Sequence, residues 1–136
     1  MTADLITFLR ARLDEDEAVA RAVEDRSAPL TGQWEADGET ALRTANDHVL
    51  AHLPEGRPFK PGVLPHIARH DPARTLAEVE AKRKAIHIYE QAAHSLGASV
   101  PGTPPHDLMT GAANTARAIL QALATAYADH PDYREE

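Results

Sequence analysis

The feature that most constrains this chain is Asp71-Pro72 followed by a periodic apolar run that lasts until Gly97. Aspartate can accept hydrogen bonds from the free amides of a helix's first turn, and proline at the first helical position gives up no needed donor. Leu76, Val79, Ile86, Tyr89, Ala93 and Leu96 then recur at helical spacing, and Gly97 supplies a C-terminal stop. Glu78 with Lys82 and Glu80 with Lys84 stand four apart in the favourable order, which supports a solvated outer face. A long helix is therefore fixed near the middle of the chain, and the rest must pack around it.

Ahead of it, Asp4 is placed to cap a first helix whose stripe is Leu5, Phe8, Leu9, Leu13, Ala20 and Val23, with an end expected near Ser27 to Pro29. Within it, Asp14-Glu15-Asp16-Glu17 reads as a solvated face, with Asp16 nearest the stripe and so best placed to meet an arginine from elsewhere. Residues 39–53 fit two periods. Ala41, Leu42, Ala45, Val49, Leu50 and Leu53 could line a helix, whereas turns at Asp37-Gly38 and Asn46-Asp47 make a β-meander of Trp34 to Asp37, Ala41 to Ala45 and His48 to Leu53. The meander is the preferred reading.

Pro54 to Pro65 reads as an irregular connector, and a short helical turn is expected at about Leu64 to His70. After the long helix, Ser99 to Pro105 is a loop. A last helix is expected from His106 or Asp107 to Ala128, with Met109, Ala113, Ala116, Ile119, Leu120, Leu123 and Tyr127 inward and Pro131 beyond its end, followed by a polar tail that can fray. The expected fold is α+β and mostly α: a single domain over residues 1–136, with three main helices packed as a bundle and a small β-meander between the first helix and the long one. The 136 residues hold two Phe, one Trp and three Tyr, so the core depends on close helix packing more than on aromatic anchors.

Four patches resemble a family of small actinobacterial and actinophage proteins known only as a domain of unknown function. They are Leu5 to Glu17, the lone Trp34, His66 to Arg83, and the ending Tyr127-Ala-Asp-His-Pro-Asp-Tyr-Arg-Glu-Glu136. Members often continue into a tryptophan just after the final Glu-Glu, where this sequence stops. The resemblance implies an accessory protein of a host or a phage and favours the meander, because relatives look strand-like and turn-rich after the tryptophan. It supplies no activity, cofactor or site.

Composition narrows the chemistry. Lys plus Arg number 14 against 21 Asp plus Glu, and a net charge of −7 argues against nucleic acid and against anionic membrane as partners. The absence of cysteine removes disulfides, thiolate catalysis and cysteine-held zinc. No apolar run approaches the ~20 residues of a membrane span and no basic leader opens the sequence, so a cytoplasmic location is expected. The serines Ser27, Ser95 and Ser99 lie in no nucleophile context, and no glycine-rich phosphate loop is present.

Three constellations remain. His66 and His70 stand four apart, a spacing used by helical zinc ligands, but without the glutamate of a metalloprotease motif; a third ligand would come from His130, Asp132 or Asp71. His48 and His52 repeat that spacing. His87, Glu90 and His94 share a face of the long helix without the partner set a di-metal site needs. Arg69, Arg74, Lys82, Arg83 and Lys84 form a basic run interleaved with Asp71, Glu78 and Glu80, and pairing with the first helix's carboxylates would absorb much of it. The expected function is a non-enzymatic interaction or regulatory protein acting through a helical surface. Arg69, Arg74, Lys82 and Arg83 are the candidate contacts, and the partner is a protein, a second copy included. No cofactor is expected. The alternative is a metal-binding protein or metal-dependent enzyme that holds zinc or another divalent ion at His66 and His70.

Overall fold

The computed structural model describes residues 2–23 and 31–135. In order they form α1 (Thr2–Ala22), β1 (Trp34–Asp37), β2 (Ala41–Thr44), β3 (Val49–His52), α2 (Val63–Arg69), α3 (Pro72–Ala98) and α4 (Pro104–Ala124), with 3-10 turns at Pro54–Gly56 and Thr125–Tyr127. This is the expected α+β, mostly helical fold with a meander between α1 and α3. The chain divides into two compact units, one built from Met1–Asp14 with Glu80–Glu136 and the other from Glu15–Val79.

The first unit holds the start of α1, most of α3, and α4. Leu5, Leu9 and Leu13 of α1 are buried with Ile86 of α3 and Ala113, Leu120 and Ala124 of α4. The apolar period of α1 therefore faces inward as its spacing predicts. Its start differs: the helix begins at Thr2, so Asp4 lies in the first turn, where its charge complements the positive end of the helix instead of capping it. The end expected at Ser27 to Pro29 lies outside the described residues.

Gly97 is not the stop of α3. The helix continues through it to Ala98, and Ser99 closes the last turn with its amide on the Leu96 carbonyl at 3.1 Å and its hydroxyl on the Ser95 carbonyl at 2.7 Å. α4 starts two residues before the expected His106, because Pro104 and Pro105 serve as its first two positions, where neither needs an N–H. Beyond Tyr127 the chain turns back. The Phe8 ring meets Tyr127, His130 and Tyr133 edge-on at centroid distances of 6.3, 5.8 and 5.9 Å. Tyr133, expected in a fraying tail, is thus half-buried against α1's aromatic ring.

The second unit is organised by the antiparallel meander, in strand order β1-β2-β3. Trp34 pairs with Thr44 and Asp37 with Ala41, around a turn in which Gly38 takes φ +56°, a conformation glycine adopts without penalty. In the β2 to β3 turn, buried Thr44 donates its hydroxyl to Asn46 Oδ1 at 2.6 Å and accepts the His48 amide at 3.0 Å, while Asp47 takes φ +69°. These local bonds decide residues 39–53 for hairpin over helix. The sheet is joined to α3 through Asp71 and through the Ala73 amide, which donates to the Gly32 carbonyl at 2.9 Å.

Candidate functional site

Asp71 behaves as its position predicts. One carboxylate oxygen accepts the Arg74 amide at 2.8 Å, closing the first turn of α3, and the other accepts the Trp34 amide at 3.1 Å. Both oxygens therefore serve the fold. His66 of α2 and His70, which directly follows its last residue, lie with ring centroids 4.6 Å apart and both side chains exposed. The α-helical spacing does bring the pair together. His130 and Asp132 sit in the other unit, where His130 Nδ1 accepts from buried Arg12 at 2.7 Å. Among the described residues no group of three or more His, Asp or Glu side chains is arranged to hold a metal ion.

The remaining histidines are spread out. His48 lies in the β2 to β3 turn and His52 ends β3 with Nδ1 3.2 Å from the Leu53 carbonyl oxygen. His87 and His94 are exposed on α3, whereas Glu90 between them receives a hydrogen bond from Arg10 of α1.

The basic run separates in the same residue-by-residue way. In the second unit, Arg69 is exposed at the end of α2, and Arg74 pairs with Glu78 one turn on at 2.7 Å. In the first unit, Arg83 pairs with Asp14 of α1 at 2.8 Å. Lys82 reaches Tyr127 there, with its Nζ 3.5 Å from the phenol oxygen and 5.5 Å from the ring centroid. The carboxylate run of α1 thus does receive an arginine from another helix, Arg83 at Asp14, while Glu17 pairs with Arg21 one turn on at 2.8 Å. Asp16 lines a cleft of about 340 Å³ with Val19, Val23, Trp34 and His70. Arg43 shows a similar internal use on the sheet, bridging Asp37 at 3.1 Å and Asp47 at 3.2 Å.

What the sequence reading missed lies on α4. Its inner face, Ala113, Leu120 and Ala124, is buried, but Ile119, expected inward, is 52% exposed and Leu108 is 67% exposed. Ala112, Thr115 and Ala122 are exposed with them. Positions 108, 112, 115, 119 and 122 follow steps of four, three, four and three, so all five fall on one side of a helix. From Leu108 to Ala128 the sequence carries one charged residue, Arg117, which is half-buried and lies round the helix from this stripe. α4 is therefore apolar on two sides, and among the described residues only one of them is covered. The signal was present in the sequence as a second stripe beside the one that became the core, together with the lack of charge.

A sequence model of a family of unknown function, DUF6221, matches residues 2–136. No curated protein and no solved structure matches the chain.

Proposed function

The chain belongs to the DUF6221 family of unknown function, and from that premise we propose that it is a non-enzymatic interaction or regulatory module acting through a helical surface, the outer face of α4. One observation carries the reading: Leu108, Ala112, Thr115, Ile119 and Ala122 form an exposed stripe without a charge along a helix whose other side is already buried. A solvated helix face ordinarily carries charges, as the outer face of α3 does with Lys84 and Glu80. Leaving large aliphatic side chains in water forgoes about 1.5–3 kcal/mol each, which a partner would recover on docking.

Arg69, Arg74, Lys82 and Arg83 fit this role less well. Three of the four are engaged inside the molecule, which lowers what a partner could gain from them. Affinity capture from the native host separates the two surfaces. With tagged wild type, Ile119→Glu and a variant of reversed charge at Arg69, Arg74, Lys82 and Arg83, capture is expected to be lost with Ile119→Glu alone. A partner retained by Ile119→Glu would refute the α4 reading.

The 4.6 Å approach of His66 and His70 supports a second reading, binding of a divalent metal such as zinc. Stoichiometric metal in tag-free protein, with a zinc-induced rise in thermal midpoint that disappears in His66→Ala, would establish it. An unchanged midpoint in wild type would remove it.

A further inference from the structure

We infer that the partner of the α4 outer face is a second copy of this chain, docked through its own α4 in antiparallel orientation about a two-fold axis. This deepens the α4 reading and rests on it. The stripe from Leu108 to Ala122, extended by exposed Ala126 in the closing 3-10 turn, keeps the four-three alternation of a helix that packs lengthwise on another helix.

An isologous contact places each residue against its symmetry mate's counterpart. With the two-fold axis level with residue 117, Leu108 meets Ala126, Ala112 meets Ala122, and Ile119 meets Thr115. Each large side chain then faces a smaller one, and the alanine layers allow close approach of the axes. A parallel arrangement would stack Leu108 on Leu108 and Ile119 on Ile119, and leave gaps at Ala112 and Ala122.

Two copies at −7 repel each other, so a self-contact is favoured only where neither presents a charge. The stripe meets that requirement, whereas a basic partner would find nothing on it to bind. A self-contact of this kind has a signature: salt screens the repulsion between the copies and should tighten association, while a partner held by ion pairs would be weakened.

Light scattering on the full chain, from micromolar to high micromolar concentration, is expected to show a monomer–dimer transition whose midpoint falls with added salt. Ile119→Glu and Ala112→Glu should each raise that midpoint by about tenfold or more, because they bury an unpaired carboxylate. Ile88→Glu, at a 60% exposed position on α3, should leave it unchanged. Circular dichroism verifies that each variant is folded, and Ala122→Glu serves if either test variant is not. The chain has no cysteine, so orientation can be read by oxidation of single-cysteine variants. A mixture of Ala112→Cys and Ala122→Cys chains should give the mixed disulfide in preference to either self-disulfide. A monomer at every concentration, a dimer indifferent to Ile119→Glu and Ala112→Glu, or self-disulfides in preference to mixed ones would overturn the inference. If the chain is a monomer yet Ile119→Glu abolishes capture of another protein, only the self-docking inference fails. If it is a monomer and no capture depends on Ile119, the α4 reading fails with it.

Discussion

Asp71 accepts the backbone N–H of Trp34 at 3.1 Å while its other carboxylate oxygen caps α3 through the Arg74 amide at 2.8 Å. One side chain thereby fixes both where the long helix begins and where the first strand lies against that beginning. Replacing it by alanine removes a cap and leaves a strand amide without its acceptor, for a combined loss of about 2–3 kcal/mol. Asp71→Asn keeps one acceptor oxygen and should lose about half as much. Denaturant unfolding of the two variants measures both values, and equal losses would mean that the bond retained by the asparagine oxygen contributes nothing.

Buried Arg12 and His130 form the corresponding tie in the other unit. Arg12 donates to His130 Nδ1 at 2.7 Å, and the Asp132 amide donates to the same nitrogen at 3.1 Å, so the ring proton resides on Nε2. The guanidinium also stands 5.1 Å from the Phe8 ring centroid. His130→Ala should destabilise by about 2 kcal/mol, because a buried cation loses an acceptor. In an Arg12→Met background the same change should have less than half that effect, and a double-mutant cycle by thermal unfolding checks the difference. Additive losses would show that the two residues act independently.

The meander carries a backbone position that can be improved. Asp47 adopts φ +69°, and its ion pair with Arg43 is on a side chain 84% exposed, so little is lost when it is removed. Asp47→Gly should stabilise the protein by up to about 1 kcal/mol. Thr44→Val, at a residue 1% exposed, should act in the opposite sense by about 1–3 kcal/mol, because the His48 amide and the Asn46 side chain lose their hydroxyl partner. Thermal midpoints of the two single variants test both signs.

The parts of the fold readable from sequence were those whose chemistry is local. Asp71-Pro72 announces a helix start within two residues. Asp37-Gly38 and Asn46-Asp47 announce the two turns of the meander, and the bonds that enforce the second turn come from Thr44, two residues before Asn46. Where the signal was not local it was missed. Arg12 and His130 are 118 residues apart, and nothing in either neighbourhood marks them as partners. Gly97 carries no mark that separates a stop from a helical residue, since the closing bonds come from Ser99.

α4 failed for a different reason. Its apolar residues cover two sides, so a period of 3.6 cannot say which side faces the core, and Ile119, expected inward, belongs to the stripe that faces water. The same ambiguity hid the candidate surface. The charged candidates Arg74 and Arg83 are engaged with Glu78 and Asp14. A residue type suited to binding is as readily used within the molecule as outside it.

Thiol accessibility measures directly whether the outer face of α4 becomes covered by a second copy. Ala122→Cys lies on the stripe and Gln91→Cys on the exposed side of α3, and both can be labelled in a chain otherwise without cysteine. In dilute protein the two thiols should react at similar rates. On addition of excess wild-type chain, labelling at position 122 should slow several-fold while labelling at position 91 does not change. Equal rates at the two positions at every concentration would contradict the account.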